Sequence, residues 1–398
     1  MTVPEAKAGV GASGGQVGEA YTRARSRATE REGVSMATAT RAQSDGNRKG
    51  RGDVNVTRLF LGVVIVSVCL LAGMADAQAS ALGDLAASMA PGTWAELKTN
   101  GLTPELLEVP NPTQTYNVLE YQNSGVWDPT SRQALFVGGP HDGKGKFISY
   151  DEASNTWRHE PDPTPASMLS THGYDHNTLN TATGELYFRP YGSADVFKYR
   201  IATKAWSHLT RIPNTQYNCC GAIEYFPERD GFVFVGRSEV LFYNTRRGSW
   251  SAPWVTIRTG PYHATAEYSP AEKVVVFGGG SGVRTVYRMD RKGRVTPGAD
   301  SPFPLDSGGH AIFTADPVSG KFLLFAEDET FHVYDAATDK WELQAQRPPF
   351  FDAGKYRPVS CSIAIPISTH GVVMVLTYST SRPTVFLYRH AAGTPTPR

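Results

Sequence analysis

Cysteine is scarce in this chain, which has 4 among 398 residues. Cys69 lies in an apolar run near the amino terminus, so Cys219, Cys220 and Cys361 are left for the rest of the protein. An odd number excludes a fully paired disulfide framework, and stability must therefore come from a buried core. Cys219 and Cys220 are adjacent and could form a vicinal disulfide.

Charge is also limited, because charged residues make up only 19% of the chain. Residues 1–58 contain 10 of the 39 basic and 6 of the 38 acidic residues. The remaining 29 basic and 32 acidic residues give the rest of the chain a net charge near −3. This balance argues against a nucleic acid or an anionic membrane as the partner.

A long membrane-spanning run is missing as well. Residues 1–58 show no apolar periodicity and are expected to be a disordered or mis-annotated extension. The apolar run LFLGVVIVSVCLLA at 59–72 is short for a spanning helix, and Ala75 and Ala77 suit a signal peptidase. We predict a signal peptide at 59–77, with an uncleaved anchor as the alternative. A linker at 78–90 and a tail at 391–398 would flank a secreted or periplasmic protein, expected to be monomeric and not membrane-bound after cleavage.

Glycine and proline are abundant, with 39 and 27 residues, and hydrophobic residues make up 40% of the chain. This composition is typical of a turn-rich, all-β protein with a large core. The stretch KVVVFGGGSGVRTVYRMD at 273–290 reads as two strands joined by a glycine hinge. Related stretches recur along the chain, each with a turn residue after its first strand: Pro129, Thr181, Pro227, Pro270, Pro317 and Pro366.

These six turn markers are 52, 46, 43, 47 and 49 residues apart, the length of a four-stranded propeller blade. A second pattern places Trp seven residues after Tyr, as in Tyr150 and Trp157, which predicts an aromatic pair across the outer turn. The pattern recurs in three further blades, at Tyr199 and Trp206, Tyr243 and Trp250, and Tyr334 and Trp341. The fourth blade has Val295 near the Trp position. Its contact with the neighbouring blade, which we call the seam, is therefore expected to be weaker.

The last repeat ends at Tyr388 without room for an outer strand, whereas an unpaired strand pattern precedes the first repeat at 92–97. Pairing these two segments would close the ring and remove exposed sheet edges. The prediction is a six-bladed β-propeller over residues 91–390, with four-stranded antiparallel blades and the amino-terminal strand in the carboxy-terminal blade.

The combination of a glycine doublet, Tyr-Asp, and Trp six residues after the Asp resembles the kelch repeat of the galactose oxidase and kelch-like superfamily. Gly138-Gly139 and 278–280 match the doublet, and Tyr150-Asp151 with Trp157 matches the rest. The resemblance implies a kelch-type propeller. It implies little about function, because such propellers include ligand-binding scaffolds, mutarotases, lyases and copper oxidases.

His, Tyr and Arg are concentrated where the first strands begin and at the hinges on the same face. The inner strand of each blade lines the channel, so these side chains should converge at one channel mouth. We expect a carbohydrate or similar polar ligand there, with binding residues His141, Tyr191, Arg237, Tyr262 and His310. The residues leave open whether the protein is an enzyme, and they identify no cofactor.

Several chemistries fit this concentration. Some kelch-like propellers that cleave uronate polysaccharides by elimination use His, Tyr and Arg near the mouth. The similar residues here are His172, Tyr174, His176, Arg189 and His263, which we take as candidate catalytic residues. A sugar mutarotase, which needs an acid and a base, and a non-enzymatic protein-interaction scaffold also remain open.

A copper-radical oxidase is a further alternative. Its resemblance lies in Tyr262, His263 and His310 as metal ligands, with Cys220 and Tyr174 as a cross-linked pair. Six blades instead of seven, and Tyr174 one blade before Cys220 instead of one after, depart from that family's pattern. The main prediction therefore includes no metal.

Overall fold

A computed structural model describes residues 79–110, 115–169, 171–213, 219–306, 309–353, 361–378 and 382–391. The expected extension at 1–58 and signal peptide at 59–77 lie outside the described residues, as does the tail after 391. In the described part of the chain, no helix is long and apolar enough to cross a membrane.

Several amino-terminal elements precede blade 1 in the chain. Helix α1 (Ala81–Ser88) precedes strand β1 (Thr93–Leu97), and helix α2 (Pro104–Leu107) leads into a hairpin of β2 (Glu108–Pro110) and β3 (Thr115–Asn117). Ser80 caps α1 by accepting a hydrogen bond from the Gly83 N–H. Leu82 and Ala86 of α1 are buried, so part of the 78–90 segment expected to be a linker is a helix packed on the core.

The first three blades are antiparallel sheets formed in chain order. Blade 1 consists of β4 (Val126–Asp128), β5 (Gln133–Gly138), β6 (Lys146–Asp151) and β7 (Thr156–His159). Blade 2 consists of β8 (Asn177–Asn180), β9 (Glu185–Phe188), β10 (Phe197–Arg200) and β11 (Ala205–His208). Blade 3 consists of β12 (Ala222–Phe226), β13 (Gly231–Val235), β14 (Glu239–Asn244) and β15 (Ser249–Trp250), with β16 (Val255–Thr256) also paired to β14.

The remaining blades complete the ring. Blade 4 consists of β17 (Thr265–Ser269), β18 (Val274–Gly278), β19 (Val286–Met289) and β20 (Val295–Pro297). Blade 5 consists of β21 (Ala311–Ala315), β22 (Phe322–Ala326), β23 (Phe331–Asp335) and β24 (Lys340–Leu343). Blade 6 consists of β25 (Ser362–Ile367), β26 (Val372–Thr377), β27 (Thr384–Arg389) and β1. Short 3-10 helices occur at Ala166–Met168, Ile201–Thr203, Pro227–Arg229 and Pro349–Ala353.

Ring closure occurs as predicted. Strand β1 pairs antiparallel with β27, and Trp94 lies opposite Tyr388. The two rings stack with their centroids 4.6 Å apart, and Trp94 also makes edge contacts with Phe325 and Phe350. The chain is a six-bladed β-propeller whose last blade is shared between the two ends of the domain.

The hydrophobic core of the described residues is divided into six clusters, one at each contact between neighbouring blades. Blade 4 shows why. Successive side chains of a strand point to opposite faces, so Val275 and Phe277 face blade 3 while Val274 and Val276 face blade 5. Burying a side chain of this type stabilises the fold by about 1.5–3 kcal/mol. The strands therefore read as continuous apolar runs because both faces are covered.

The Tyr and Trp pairs lie directly opposite each other across the two outer strands, as the spacing predicted: Tyr150 and Trp157, Tyr199 and Trp206, Tyr243 and Trp250, and Tyr334 and Trp341. Trp254, from the segment between β15 and β16, packs on the cluster between blades 3 and 4. It covers Gly293, where an added Cβ would lie 2.2 Å from the indole. Trp254 therefore supplies a Trp at the seam where blade 4 has none of its own.

A buried carboxylate joins α1, blade 1 and blade 6. Glu152 accepts hydrogen bonds from Ser80, from both Nε and Nη2 of Arg132, and from His370. Burial by itself would raise the pKa of Glu152, but the hydrogen bonds from His370, Arg132 and Ser80 outweigh it and lower the pKa to about 2. Glu152 thus holds its charge in the core and fixes the first and last blades together.

Candidate functional site

One mouth of the channel is surrounded by Tyr and His rings. They come from the entry to blade 1, the hinge of blade 1, the entry to blade 2, the hinge of blade 2 and the entry to blade 4. We name them the mouth cluster: Tyr121, His141, His172, Tyr174, Tyr191, Tyr262 and His263. The sequence predicted six of these residues, at the face where the inner strands begin.

Two loops support the cluster. The Tyr174 N–H donates to the Tyr121 carbonyl, and the Tyr174 carbonyl accepts from the Asn123 N–H, so the two approach segments run side by side. Gly173 allows this approach, since a Cβ there would lie 1.4 Å from Oε1 of the buried Gln122. The two loops are therefore locked together where they carry the rings.

The backbone is strained at the mouth. Tyr121, His172, Tyr174 and His263 all have positive φ, between 37° and 66°. Residues with a Cβ rarely adopt this left-handed conformation, which costs of order 1–3 kcal/mol at each position. Strain of this kind persists where the surrounding structure fixes it, and it is concentrated at functional sites.

The rings form a continuous aromatic lining. His172 lies 5.0 Å from Tyr121, 5.2 Å from Tyr174 and 4.6 Å from Tyr191, measured between ring centroids. His141 lies 5.0 Å from His172 and is exposed at the rim. The lining therefore extends from the buried Tyr174 to the outer edge of the mouth.

Asp306, His263 and Tyr174 are in contact in that order, through an ion-pair contact between the carboxylate and the imidazole and a hydrogen bond between the imidazole and the phenol. Nδ1 of His263 lies 2.5 Å from Oδ1 of Asp306, and its Nε2 lies 3.2 Å from the Tyr174 hydroxyl. Asp306 is 5% exposed and Tyr174 is 3% exposed. An acid, an imidazole and a phenol arranged in this order can pass a proton along the chain.

Burial determines the protonation of the site. It raises the pKa of Tyr174 above its usual value, with further contributions from the neighbouring phenols and Asp306. Burial also lowers the pKa of His172 to about 4, and the adjacent His141 and His263 add to this effect. At neutral pH, Tyr174 is therefore a neutral phenol and His172 a neutral imidazole.

His176 and Arg189 lie beneath the mouth cluster, fully buried. Nη2 of Arg189 lies 2.6 Å from Nε2 of His176 and donates to the carbonyls of Cys219 and Gly221, while Nη1 donates to the Ser193 carbonyl. Burial lowers the pKa of Arg189 to about 9 and holds that of His176 well below its usual value. These contacts assign Arg189 to joining blades 2 and 3, at a depth where it does not meet solvent.

Two other predicted residues lie on other blades of the ring. His310 precedes β21 of blade 5, where its Nδ1 lies 2.7 Å from Oε2 of Glu327. Arg237 is an exposed residue in the hinge of blade 3. The structure therefore gathers the predicted residues of blades 1, 2 and 4 into one group of rings.

Sequence reasoning missed Tyr121 and Asp306. Tyr121 lies in the segment that enters blade 1, directly before the buried Gln122, so the concentration of aromatic residues where the first strands begin could have pointed to it. Asp306 lies in the segment between blades 4 and 5, outside every repeat position. Only the folded ring brings it to His263.

The copper alternative requires Cys220 as a free thiol beside Tyr174. Cys219 and Cys220 form a vicinal disulfide, so Cys220 is not a thiol that could be cross-linked to Tyr174. Both ring nitrogens of His263 already face protein partners. The described residues include no group of three or more His, Cys, Asp or Glu side chains arranged to hold a metal ion. A copper site does not fit these residues.

Comparison with known proteins identifies the fold alone. No family model matches the chain, and no curated protein matches it by sequence. A crystal structure of an auxiliary nutrient binding protein from Bacteroides ovatus is similar with a TM-score of 0.53 and 12% identity, over 74% of this chain and 76% of that one. A nidogen/laminin complex structure is similar at a TM-score of 0.41 and 8% identity, over 57% and 82% of the two chains. The kelch resemblance thus stays a prediction.

Proposed function

We propose that this protein is exported and binds a carbohydrate or a similar polar ligand at the mouth cluster. The observation that carries the proposal is the aromatic lining of Tyr and His rings between the exposed Tyr262 and the buried Tyr174. Aromatic faces stack on the apolar faces of sugars, while phenols and imidazoles exchange hydrogen bonds with hydroxyl groups.

Two further observations support this proposal. The loops that carry the rings are fixed by backbone hydrogen bonds, so little ordering is required when a ligand binds. The similar Bacteroides ovatus structure is described as a nutrient binding protein, and an exported nutrient-binding role suits the apolar run and Ala-x-Ala sequence at 59–77.

Binding can be tested by calorimetry with a panel of neutral and acidic oligosaccharides. Tyr262 is 51% exposed, so Tyr262→Ala should remove a stacking surface without unfolding the protein. We expect a loss of about 1 kcal/mol, roughly fivefold in Kd. Leu343→Ala, 67% exposed on blade 5, is the matched control and should bind as wild type does. Equal Kd values for wild type and Tyr262→Ala would contradict this site.

Cleavage of a uronate-containing glycan by elimination is the second candidate. It is favoured by the chain from Asp306 through His263 to Tyr174. His263 would take the phenolic proton while Asp306 stabilises the resulting imidazolium. The Tyr174 phenolate would then abstract the proton on C5 of the uronate, the C4–O bond would break, and a C4=C5 double bond would form. The departing oxygen would receive a proton from solvent or from a mouth residue.

Elimination creates an unsaturated product that absorbs in the ultraviolet, so a panel of uronate polysaccharides provides the assay. Tyr174→Phe keeps the ring and removes the base, and should lower kcat by about 10²–10⁴-fold. His263→Gln should produce a loss of similar size because it breaks the proton chain. Glycan binding without any product on the whole panel would reject elimination and leave the binding proposal intact.

A further inference from the structure

Blade 3 has an irregular outer strand. Strand β15 ends at Trp250 and β16 begins at Val255, and both pair with β14. The four residues between them, 251–254, lie opposite only two residues of β14. The Phe242 N–H donates to the Ser251 hydroxyl, where a regular strand pair would offer a backbone carbonyl. The outer strand therefore bulges away from the sheet at this point.

The bulge opens a cavity at the outer edge of blade 3. The cavity has a volume of about 720 Å³, which lies within the range of roughly 300–1,000 Å³ that is typical of ligand sites. Trp250, Pro253 and Trp254 line it, and Asn244 and Ser249 add polar groups to its wall. We name it the outer cavity.

The outer cavity lies away from the mouth cluster. It is lined by Glu228 and Arg229 of the turn between β12 and β13, and by Arg247 of the turn between β14 and β15. These two turns adjoin, because Thr245 donates its N–H and its hydroxyl to the Asp230 carbonyl. In an up-and-down blade both turns lie at the end opposite the hinge between the second and third strands, and the hinges carry the mouth cluster. The outer cavity is therefore a separate site.

Arg229 is held in place by aromatic faces. Its guanidinium carbon lies 4.6 Å from the centre of the Trp254 ring and 5.7 Å from that of Phe242. Its Nη1 donates to the Lys292 carbonyl at 2.8 Å. Lys292 belongs to the turn between β19 and β20, so Arg229 connects the outer turns of blades 3 and 4.

Basic residues are concentrated on these two outer turns. The turn of blade 3 contains Arg246 and Arg247, and the turn of blade 4 contains Arg291, Lys292 and Arg294. Arg246 and Arg294 pair with acidic residues of their own blades. Arg247, Arg291 and Lys292 are exposed, and among the described residues no carboxylate forms an ion pair with them or with Arg229. We name these four residues the basic edge: Arg229, Arg247, Arg291 and Lys292.

We propose that the outer cavity and the basic edge bind an acidic polysaccharide, with sulfate or carboxylate groups on its sugar rings. The cations would pair with these groups, since the planar fork of Arg matches the geometry of an oxyanion. The Trp250 and Trp254 rings would contact sugar rings, while Asn244 and Ser249 exchange hydrogen bonds with sugar hydroxyls. This proposal does not depend on what the mouth cluster binds.

The combination of charge and aromatic lining favours a glycan over other polyanions. After residue 58 the chain has a net charge near −3, so the basic edge is a local positive surface on a slightly negative protein. Charge by itself would hold any polyanion. The cavity beside it adds two indoles and polar groups, which suit rings and hydroxyls. A polyphosphate chain has no ring to place there.

Binding can be tested by calorimetry and Trp fluorescence at about 50 mM salt, where charge screening is weak. Dextran sulfate and polygalacturonate are the acidic probes, dextran is the neutral control, and polyphosphate is a polyanion without rings. We expect saturable binding of at least one acidic polysaccharide and none of dextran. The tighter of the two distinguishes sulfate from carboxylate recognition. The mouth cluster contains only Tyr and His rings, so a change in Trp emission that Trp254→Phe reduces would report on the outer cavity.

Substitutions on the basic edge test the charge contacts. Arg247→Gln should weaken binding about fivefold, and its combination with Arg291→Gln and Lys292→Gln more than about twentyfold. Lys340→Gln, exposed on the outer turn of blade 5, is the matched control and should bind like wild type. Tyr262→Ala should also bind like wild type, because it alters only the mouth cluster.

Several results would overturn the proposal: no binding of either acidic polysaccharide, polyphosphate binding as tightly as the polysaccharides, tighter binding of a DNA duplex, or unchanged affinity in the triple variant. Loss of binding in Tyr262→Ala would also overturn it, because the polysaccharide would then occupy the mouth cluster. Thermal melting shows whether each variant is folded. If the triple variant does not fold, unchanged affinity in Arg247→Gln decides against the proposal.

Discussion

Replacing Trp94 by alanine should weaken the propeller where its two ends meet. The indole stacks on Tyr388 and contacts the edges of Phe325 and Phe350, while its strand forms the outer edge of blade 6. A buried Trp→Ala substitution costs about 3–5 kcal/mol. Trp94 is only partly buried, so we expect the lower end, about 3 kcal/mol.

Equilibrium urea unfolding measures this loss. Trp250→Ala is the matched control, because Trp250 is a partly buried outer-strand Trp with comparable ring contacts inside blade 3. Only Trp94→Ala should also make the strand at 93–97 sensitive to proteases in the folded protein, since it loosens the ring. A double-mutant cycle with Tyr388→Ala should give a coupling energy of about 1 kcal/mol.

The reasoning would be refuted if Trp94→Ala lowered the free energy of unfolding by less than about 0.5 kcal/mol, the usual range for surface substitutions. Protease sensitivity equal to that of Trp250→Ala would also count against it. Either result would mean that the pairing of the first and last strands contributes little to holding the ring together.

Three further predictions concern other parts of the ring. Glu152→Gln should lower the free energy of unfolding by roughly 2 kcal/mol at pH 7. Because the pKa of Glu152 is depressed to about 2, this difference from wild type should persist down to about pH 4.5 and vanish near pH 2 in urea titrations. Gly173→Ala should displace Gln122 and weaken ligand binding at the mouth cluster, measured by calorimetry, and wild-type affinity would contradict the close approach. Burial raises the pKa of Asp175 to about 6 and of Glu224 to about 8, so between the usual and the raised pKa values only the unfolded chain loses these protons and is favoured; stability should fall from about pH 4.5 to about pH 8, and a flat profile over this range would contradict this.

Much of the ring structure could be predicted from short sequence patterns that repeat along the chain. Five of the six turn markers lie between a first and a second strand, whereas Pro366 lies within β25 and pairs with Val373. The Tyr and Trp pairs lie in the predicted register. Trp254 shows the limit of this reading. It lies outside the repeat, so the seam at blade 4 was expected to be weak, although the structure places an indole there.

The candidate site was only partly predictable. Counting along the repeats located the mouth and most of its rings, because equivalent positions converge in a pseudo-symmetric ring. The same counting gave no information on how deeply each side chain is buried below the mouth. His176 and Arg189 satisfy the pattern but lie beneath the mouth, where each already has protein partners.

By itself, the sequence determined the number of blades, the turns and the closing strand, because each depends on short-range patterns that repeat every 43 to 52 residues. Only the tertiary structure decided which side chains from different blades meet. Asp306 reaches His263, and Glu224 lies beside Glu267, because the ring brings together residues that are 43 apart in the chain. No local pattern records such distances, since they arise from how six sheets pack around one axis.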